Sequence, residues 1–382
     1  MKKICFVTTI YVTYKCFLKK FSEYLYKSGE YDISLICNNE PVIADDLPEY
    51  IHYFSVDMKR GVSISAITAI YYIEKILREK KFDIVQYSTP NAAFYTSIAA
   101  KKADIPTRLY CQWGIRYMGF DGWKRSFFKY LEKKTCTNST YIEAESHNIR
   151  DFSVSEKLYG ENRSCVIWNG SACGVDLNKF SIKDKYIWRK EIREKFELEE
   201  NDVVFAFAAR LTADKGINEL LQAFLNITDI SKNAKLIVMG NMDNKSSLVV
   251  DLFKRSQKSA QIIFTGNVED IEKYYAASDV FVAPSYREGF GLVVVEAEAM
   301  GLPAIVSDIP GQIDAIIPEK TGIACKVKDV ATLENAMTRL LNDTELRTQL
   351  GKAAAEFAAS GFEQKKLFYY LQENRARLIA EK

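Results

Sequence analysis

Short runs of β-branched and aliphatic residues alternate with longer stretches whose apolar residues recur at helical spacing, almost from end to end of the chain. The short runs read as strands at 4–9, 33–37, 51–55, 84–87, 108–111 and 141–144, and again at 203–208, 235–239, 261–264, 280–283 and 304–306. Between them, helical periodicity covers 15–28, 64–80, 123–136, 216–227 and 332–341. Strand–helix alternation predicts parallel sheets with helices on both faces. The alternation occurs twice. The stretch IWNGSACGVDLNKF, residues 167–180, separates the halves with turn residues Asn169, Gly170 and Gly174. A charged stretch, 183–200, opens the second half. The prediction is an α/β protein of two doubly wound, Rossmann-like domains, 1–167 and 168–361, facing a central cleft. A last helix is expected over about 362–382, with apolar residues at 367, 368, 371, 378 and 379; it would suit capping the second domain or crossing back to the first.

Length and composition fit this picture. The 382 residues suit two domains, and 48% hydrophobic with 27% charged residues is the balance of a soluble globular protein. No run approaches the length of a membrane span. The basic, then apolar start MKKICFVTTI reads as a first strand rather than a secretion signal. The eight cysteines are scattered without a C-x-x-C, as expected of reduced cytoplasmic thiols. Net charge is +2, but residues 1–165 hold 24 Lys and Arg against 19 Asp and Glu, whereas the remainder holds 28 against 31. A basic first half suits an anionic partner, and the acidic second half argues against general nucleic-acid binding.

Chemistry concentrates in two segments of the second half. In SYREGFGLVVVEAEAMGLP, residues 285–303, an expected strand ends and a helix begins near Gly291. Unpaired first-turn N–H groups and the helix dipole make such a terminus an anion site. Gly289 and Gly291 let a ligand reach the backbone. Glu288 precedes the helix, and Glu296, about a turn and a half inside it, can accept hydrogen bonds from a diol. In FAARLTADKGINELLQAF, residues 207–224, Arg210 and Lys215 lie in a strand–loop–helix junction, where two cations can clamp a pair of phosphates. Taken singly, each of these residues is equally a surface charge of a capped helix or a solvated loop.

Together the segments AARLTADKGINELLQAF, MGN at 239–241 and IIFTGNVEDIEKYYAASDVFVAPSYREGFGLVVVEAEAMGLPAIVSDIPGQIDAI at 262–316 resemble the retaining glycosyltransferases of family 4, which have the GT-B fold. Two glutamates with seven residues between them are that family's signature. The resemblance covers about 165–345 and continues more weakly through the first half. NGSACGVDLNKF is similar to the interdomain connection of the branch that builds capsules, O-antigens, lipopolysaccharide and other lipid-linked surface glycans. The resemblance implies a nucleotide-sugar donor, a UDP-sugar in expectation. Arg210 and Lys215 would hold the donor diphosphate and Glu288 the sugar hydroxyls. Glu296 would hold the ribose, and the backbone of Gly289, Phe290, Gly291 and Leu292 the phosphate and sugar. Asn267 and Val268 would take the base, with Gly240 beside them. It also implies that the C-terminal helix returns to the first domain. In the retaining reaction the leaving diphosphate is thought to help deprotonate the acceptor, so no general base is assigned.

Two departures from the family pattern stand out. Ala209 replaces the usual Gly before the clamp arginine. In the loop 111–117, CQWGIRY, Trp113 falls where a His is usual, so no catalytic histidine is carried over. No D-x-D triplet and no metal-spaced cluster occurs, so neither metal nor cofactor is expected, and the missing G-x-G-x-x-G argues against a nicotinamide enzyme.

On the acceptor side, RYMGFDGWKRSFFKYLEKK, residues 116–134, interleaves Arg116, Lys124, Arg125 and Lys129 with aromatic residues. A second basic helix carries Lys15, Lys19, Lys20 and Lys27. Both read equally as ordinary solvated helices or as surfaces for an anionic membrane or a polyprenyl diphosphate. The expectation is a cytoplasmic, metal-independent hexosyltransferase, peripheral at the inner face of the cytoplasmic membrane. It would act on a lipid-linked or growing surface glycan. A nucleotide-sugar epimerase of the same fold and a non-catalytic sugar-nucleotide-binding subunit are the alternatives.

Overall fold

Strand β8 (Val203–Ala208) reads VVFAFA, and all six residues are buried. A strand apolar on both faces belongs inside a parallel sheet covered by helices on each side, and both sheets of this protein are built that way. The structure is a computed structural model that describes residues 1–58, 65–242 and 248–381. Of the helix expected at 64–80, residue 64 lies outside the described residues; the remainder forms Ser65–Lys80.

The chain divides into two units, Met1–Cys173 with Lys365–Lys382, and Gly174–Gln364. Among the described residues the first unit has a seven-stranded parallel sheet of β1 (Lys2–Val7), β2 (Tyr31–Cys37), β3 (Ile51–Ser55), β4 (Ile84–Tyr87), β5 (Thr107–Gln112), β6 (Tyr141–Ala144) and β7 (Ser164–Cys165). Their order is β3-β2-β1-β4-β5-β6-β7. The second unit has six strands, β8, β9 (Ala234–Met239), β10 (Ile262–Gly266), β11 (Val280–Ala283), β12 (Ala304–Ser307) and β13 (Gly322–Cys325), in the order β10-β9-β8-β11-β12-β13. Both sheets wind outwards in two directions from one place, between β1 and β4 in the first and between β8 and β11 in the second. At such a place the loops diverge and leave a crevice at the carboxyl ends of the strands.

Three differences from the sequence-based expectation have physical reasons. Residues 15–28 are not one helix: Tyr11–Phe17 and Lys19–Lys27 meet at Leu18, whose φ is −121°. Lys19 Nζ donates to both Asp46 O and Asp46 Oδ1 at 2.8 Å, a tie to a distant segment that periodicity cannot register. β7, two residues long, and β13, which begins at Gly322, carry too few β-formers to stand out. The division of the chain falls at 173/174 rather than 167/168. Ser171 N–H donates to Glu145 O, whereas Val175 N–H donates to Phe362 O, so the chain changes partners between these residues. Helix Leu292–Ala299 starts near Gly291, as expected, with Gly291 as its N-cap.

The C-terminal helix Gln364–Ala380 belongs to the first unit. Arg375 on it is 1% exposed. Its guanidinium donates to Glu143 Oε1 at 2.9 Å and to Gln86 Oε1 at 2.8 Å and 3.1 Å, and it also pairs with Glu143 Oε2. Asn374 Nδ2 donates to the same carboxylate at 3.1 Å. Phe368 packs on Phe21 and Tyr24. Removing one member of a buried ion pair strands the other charge, which costs about 3–5 kcal/mol, whereas replacing both with apolar residues costs far less. Arg375→Met is therefore expected to lower the unfolding transition of the first unit sharply, and Arg375→Met with Glu143→Leu to recover most of the loss. Calorimetric scans of the two variants check this.

Candidate active site

The loop after β8 and the loop after β11 meet because their strands are hydrogen-bonded neighbours, although β9 and β10 lie between them in sequence. Gly216 closes the first loop with φ +72°, and a Cβ there would stand 1.9 Å from the Pro284 carbonyl oxygen. The two loops thus touch backbone to backbone, an approach that only glycine permits.

Side chains join them as well. Lys215 Nζ donates to Glu288 Oε1 at 2.6 Å, with the side chains 19% and 20% exposed. Arg287 Nη2 donates to Asp214 Oδ2 at 3.0 Å. Asp214 Oδ1 accepts from Thr212 Oγ1 at 2.6 Å, and its carbonyl accepts from the Tyr286 N–H at 2.9 Å. The Tyr286 hydroxyl donates to Glu219 Oε1 at 2.6 Å on the following helix, Ile217–Thr228. Burial pushes the Asp214 carboxyl up. The Thr212 hydroxyl and the Arg287, Lys215 and Arg210 cations more than offset this and hold it below its ordinary value. Asp214, Arg287, Tyr286 and Glu219 were absent from the sequence-based site. Their only signal is that Asp214-Lys215 and Arg287-Glu288 are dipeptides of opposite charge order.

Beside these loops, at the ends of β8, β9 and β10, lies a pocket of about 440 Å³, within the roughly 300–1,000 Å³ of small-molecule sites. Arg210, Gly240, Asn267 and Val268 line it, as do Ala209, Met242, Ile271 and Val293. Lys215, Glu288 and Glu296 lie outside its lining. The expected residues therefore form two groups, joined through the short loop from Arg210 to Lys215.

Helix Leu292–Ala299 begins at Gly291, whose φ of +99° is a left-handed conformation. Phe290 is 1% exposed and packs on Phe362 with ring centroids 5.1 Å apart, so it has only its backbone to offer a ligand. Glu296 is half-buried, and Tyr275 lies near it. Burial first, and the Glu296 charge second, push the Tyr275 hydroxyl well above its ordinary range. Two residues on, Glu298 is completely buried, and neither carboxyl oxygen has a hydrogen-bond partner. Burial pushes its pKa well above the carboxylate range, and the nearby Thr321 hydroxyl offsets part of that. Burial therefore favours the protonated form of Glu298.

In the first unit the crevice lies between the loops after β1 and β4, where the Thr9 and Thr89 hydroxyls are 3.0 Å apart. Thr89 has φ +64°. For a β-branched residue this is a strained conformation, of a kind that collects at functional sites. The Trp113 ring packs on Phe17 at 5.2 Å. Arg116 lies over the Phe128 ring at 4.3 Å. Two of the expected acceptor-side cations have partners inside the unit: Lys129 Nζ is 2.6 Å and Arg125 Nη2 3.4 Å from Glu156 Oε2. The two cations share this one carboxylate, and their side chains stay 36% and 37% exposed. Lys124 is exposed beside Trp123. In the second basic segment Lys15 and Lys19 pair with Asp46, and Lys27 with Glu23. Among the described residues no group of three or more His, Cys, Asp and Glu is placed to hold a metal ion.

Comparison with known proteins agrees with this geometry. A family model described as glycosyl transferases group 1 matches residues 189–357, and one described as glycosyl transferase 4-like matches residues 3–146. The chain is 29% identical over 298 residues to the capsular polysaccharide biosynthesis glycosyltransferase CapM of Staphylococcus aureus, covering 78% of this chain and 77% of that one. It is 26% identical over 331 residues to the UDP-Gal:alpha-D-GlcNAc-diphosphoundecaprenol alpha-1,3-galactosyltransferase of Escherichia coli, covering 84% and 83%. Among solved structures it superposes on a sucrose-phosphate synthase from Thermosynechococcus elongatus with a TM-score of 0.81 at 17% identity, over the whole of both chains. That likeness concerns the fold, which is GT-B: two Rossmann-like units, each on a parallel sheet.

The buried Glu298 makes a pH-dependent contribution whose sign follows from linkage. Its folded pKa is raised, so above the ordinary carboxylate range the unfolded chain has released the proton that the folded chain still holds. Stability therefore falls as pH rises, by up to about 1.4 kcal/mol per pH unit, until the buried carboxyl itself ionises. Glu298→Gln is expected to remove this slope. Melting curves of both proteins between about pH 5 and about pH 8 test it; identical slopes would refute it.

Proposed function

The chain belongs to the group 1 glycosyl transferases and is a glycosyltransferase; on that premise we propose that it moves a sugar, with retention of configuration, from a UDP-sugar to a lipid-linked or growing cell-surface glycan. The observation that carries this reading is the Lys215–Glu288 pair at 2.6 Å, set beside a pocket of about 440 Å³ lined by Arg210, Gly240, Asn267 and Val268. The base occupies the pocket at Asn267 and Val268, and the ribose reaches beyond the pocket lining to Glu296. The diphosphate meets Arg210, Lys215 and the backbone of Gly289, Phe290, Gly291 and Leu292. Glu288 receives the sugar hydroxyls. UDP as the nucleotide is supported by the Escherichia coli relative, whose name specifies a UDP-sugar.

In the transfer the bond from the sugar anomeric carbon to the diphosphate oxygen breaks, and the nucleoside diphosphate leaves with the electron pair. The acceptor oxygen bonds the same carbon on the same face. Its proton passes to the departing phosphate oxygen, so no side-chain base is required. The protein holds the reactants in place and neutralises the charge developing on the leaving group. Arg210 and Lys215 supply positive charge where many sugar transferases use a divalent ion, so the enzyme works without metal. Lys215→Ala and Arg210→Ala are each expected to lower turnover by about a hundredfold or more, roughly 3 kcal/mol, as for the loss of one preorganised group in a transition-state site. Wild-type turnover should persist in excess EDTA. Turnover within about threefold of wild type in both variants, or an EDTA loss restored by magnesium, would contradict the reading.

The first unit takes the acceptor. By their names, the Staphylococcus aureus relative acts in capsular polysaccharide biosynthesis and the Escherichia coli relative uses a GlcNAc-diphosphoundecaprenol acceptor. No helix among the described residues is long and apolar enough to cross a membrane. Helix Gly122–Asn138, however, exposes Trp123 (74%), Phe127 (37%) and Tyr130 (61%) at spacings that share one face, with exposed Lys124, Lys133 and Lys134 alongside. Aromatic residues among lysines are suited to the headgroup level of an anionic bilayer. In this reading the enzyme is cytoplasmic and peripheral at the inner face of the cytoplasmic membrane. Trp123→Ala with Tyr130→Ala should release the protein from anionic vesicles. Lys124, Lys133 and Lys134 changed to Glu should do so more strongly at low salt, at about 1 kcal/mol per charge removed from the surface. Co-sedimentation with a parallel UDP titration reads both. If the wild type does not sediment at low salt, the membrane assignment falls.

A further inference from the structure

Asp214 and Arg287 are not among the expected donor contacts, yet they sit one residue before Lys215 and Glu288 and face each other at 3.0 Å. We propose that the Asp214–Arg287 ion pair is a positioning brace for sugar transfer: it sets the Lys215 ammonium and the Glu288 carboxylate in register on two separate loops. The proposal rests on the glycosyl-transfer reading, in which Lys215 and Glu288 touch the donor.

The argument is one of register and of charge. A single ammonium–carboxylate contact leaves both loops free to pivot about it. Two adjacent pairs of opposite polarity do not. A slip of one residue would set Asp214 against Glu288 or Lys215 against Arg287, like against like, and juxtaposed like charges select against the wrong arrangement. Asp214 is itself tied on three sides, by the Thr212 hydroxyl at 2.6 Å, the Tyr286 N–H at 2.9 Å and the Arg287 guanidinium at 3.0 Å. It therefore transmits the position of the loop after β8 to the loop after β11.

The pair has little to do with global stability. Its side chains are 39% and 33% exposed, and exposed ion pairs contribute little to folding. Rate is far more sensitive to position, because an ångström of misplacement of a group touching substrate costs on the order of a hundredfold. The brace is therefore expected to affect the transfer step with little effect on folding.

The test uses the full chain and measures UDP release from UDP-galactose, UDP-glucose, UDP-N-acetylglucosamine and UDP-N-acetylgalactosamine, with melting temperature alongside. Asp214→Asn and Arg287→Ala should each lower kcat roughly tenfold to a hundredfold, with donor KM and melting temperature nearly unchanged. The double variant should fall no further than the worse single variant, as non-additivity requires of two residues acting as one unit. Arg287→Lys should recover most of the loss. Single variants with wild-type kcat overturn the brace, as do effects that multiply in the double variant, or a melting temperature that falls in step with kcat. Lys215→Ala and Glu288→Gln serve as controls. If they abolish turnover while the brace variants do not, the brace alone fails. If they retain it, or if the wild type releases UDP from none of the four sugars, the transfer reading itself fails and the brace with it.

Discussion

The contact between the loop after β8 and the loop after β11 is the constraint on which the rest of the site depends. It exists because β8 and β11 are adjacent in the sheet and because Gly216 lacks the Cβ that would collide with the Pro284 carbonyl. With the backbones touching, a lysine on one loop and a glutamate on the other come within 2.6 Å, and the pocket at the ends of β8, β9 and β10 opens directly beside them. If the loops moved apart, the cations and the carboxylate would remain in the chain as unrelated surface charges.

Electrostatics in this region follow from the same closeness. Opposite charges alternate along both loops, so much of the attraction between them is local, beside the buried Leu211 and Phe290. Burial is moderate at Lys215 and Glu288, which limits the desolvation cost of the pair while leaving both groups reachable. The helix behind them follows a different logic. Its Val294, Val295, Ala297 and Ala299 are core residues, and it still buries one carboxyl, Glu298, whose pKa burial pushes well above its ordinary value. Two glutamates two residues apart on one short helix thus differ in burial, Glu296 being half-buried and Glu298 fully buried.

In the first unit the comparable anchor is Arg375. Its guanidinium reaches Glu143 on β6 and Gln86 on β4, and so ties the last helix of the chain to a sheet whose strands end before residue 166. A buried charge is a poor source of net stability but a selective one, since no apolar surface can stand in for its partners. In the same unit Lys15 and Lys19 pair with Asp46 and Arg125 and Lys129 with Glu156, while Lys124, Lys133 and Lys134 are exposed. Trp123, Phe127 and Tyr130 of helix Gly122–Asn138 are left exposed.

Period and composition were enough for much of this. The 2.0 and 3.6 spacings located the longer strands and helices because burial of one face or both leaves a local mark in the chain, and residues such as Val203 to Ala208 carry no other message. The glycines and charges at 210–216 and 288–296 were legible too, because the chemistry of a helix terminus and a phosphate clamp needs those residue types at short spacing. What the chain could not declare was any relation between distant segments. The two-residue β7, the break at Leu18 held by Asp46, the pairing of Arg125 and Lys129 with Glu156, and the buried state of Glu298 all depend on partners far away in sequence. The facing of Asp214-Lys215 by Arg287-Glu288 depends on the order of strands in a sheet. Local propensity is written residue by residue, so the sequence by itself determined the elements and the candidate chemistry. Which charges face each other, and which are spent on holding the fold, was decided only when strand order and close packing brought those elements together.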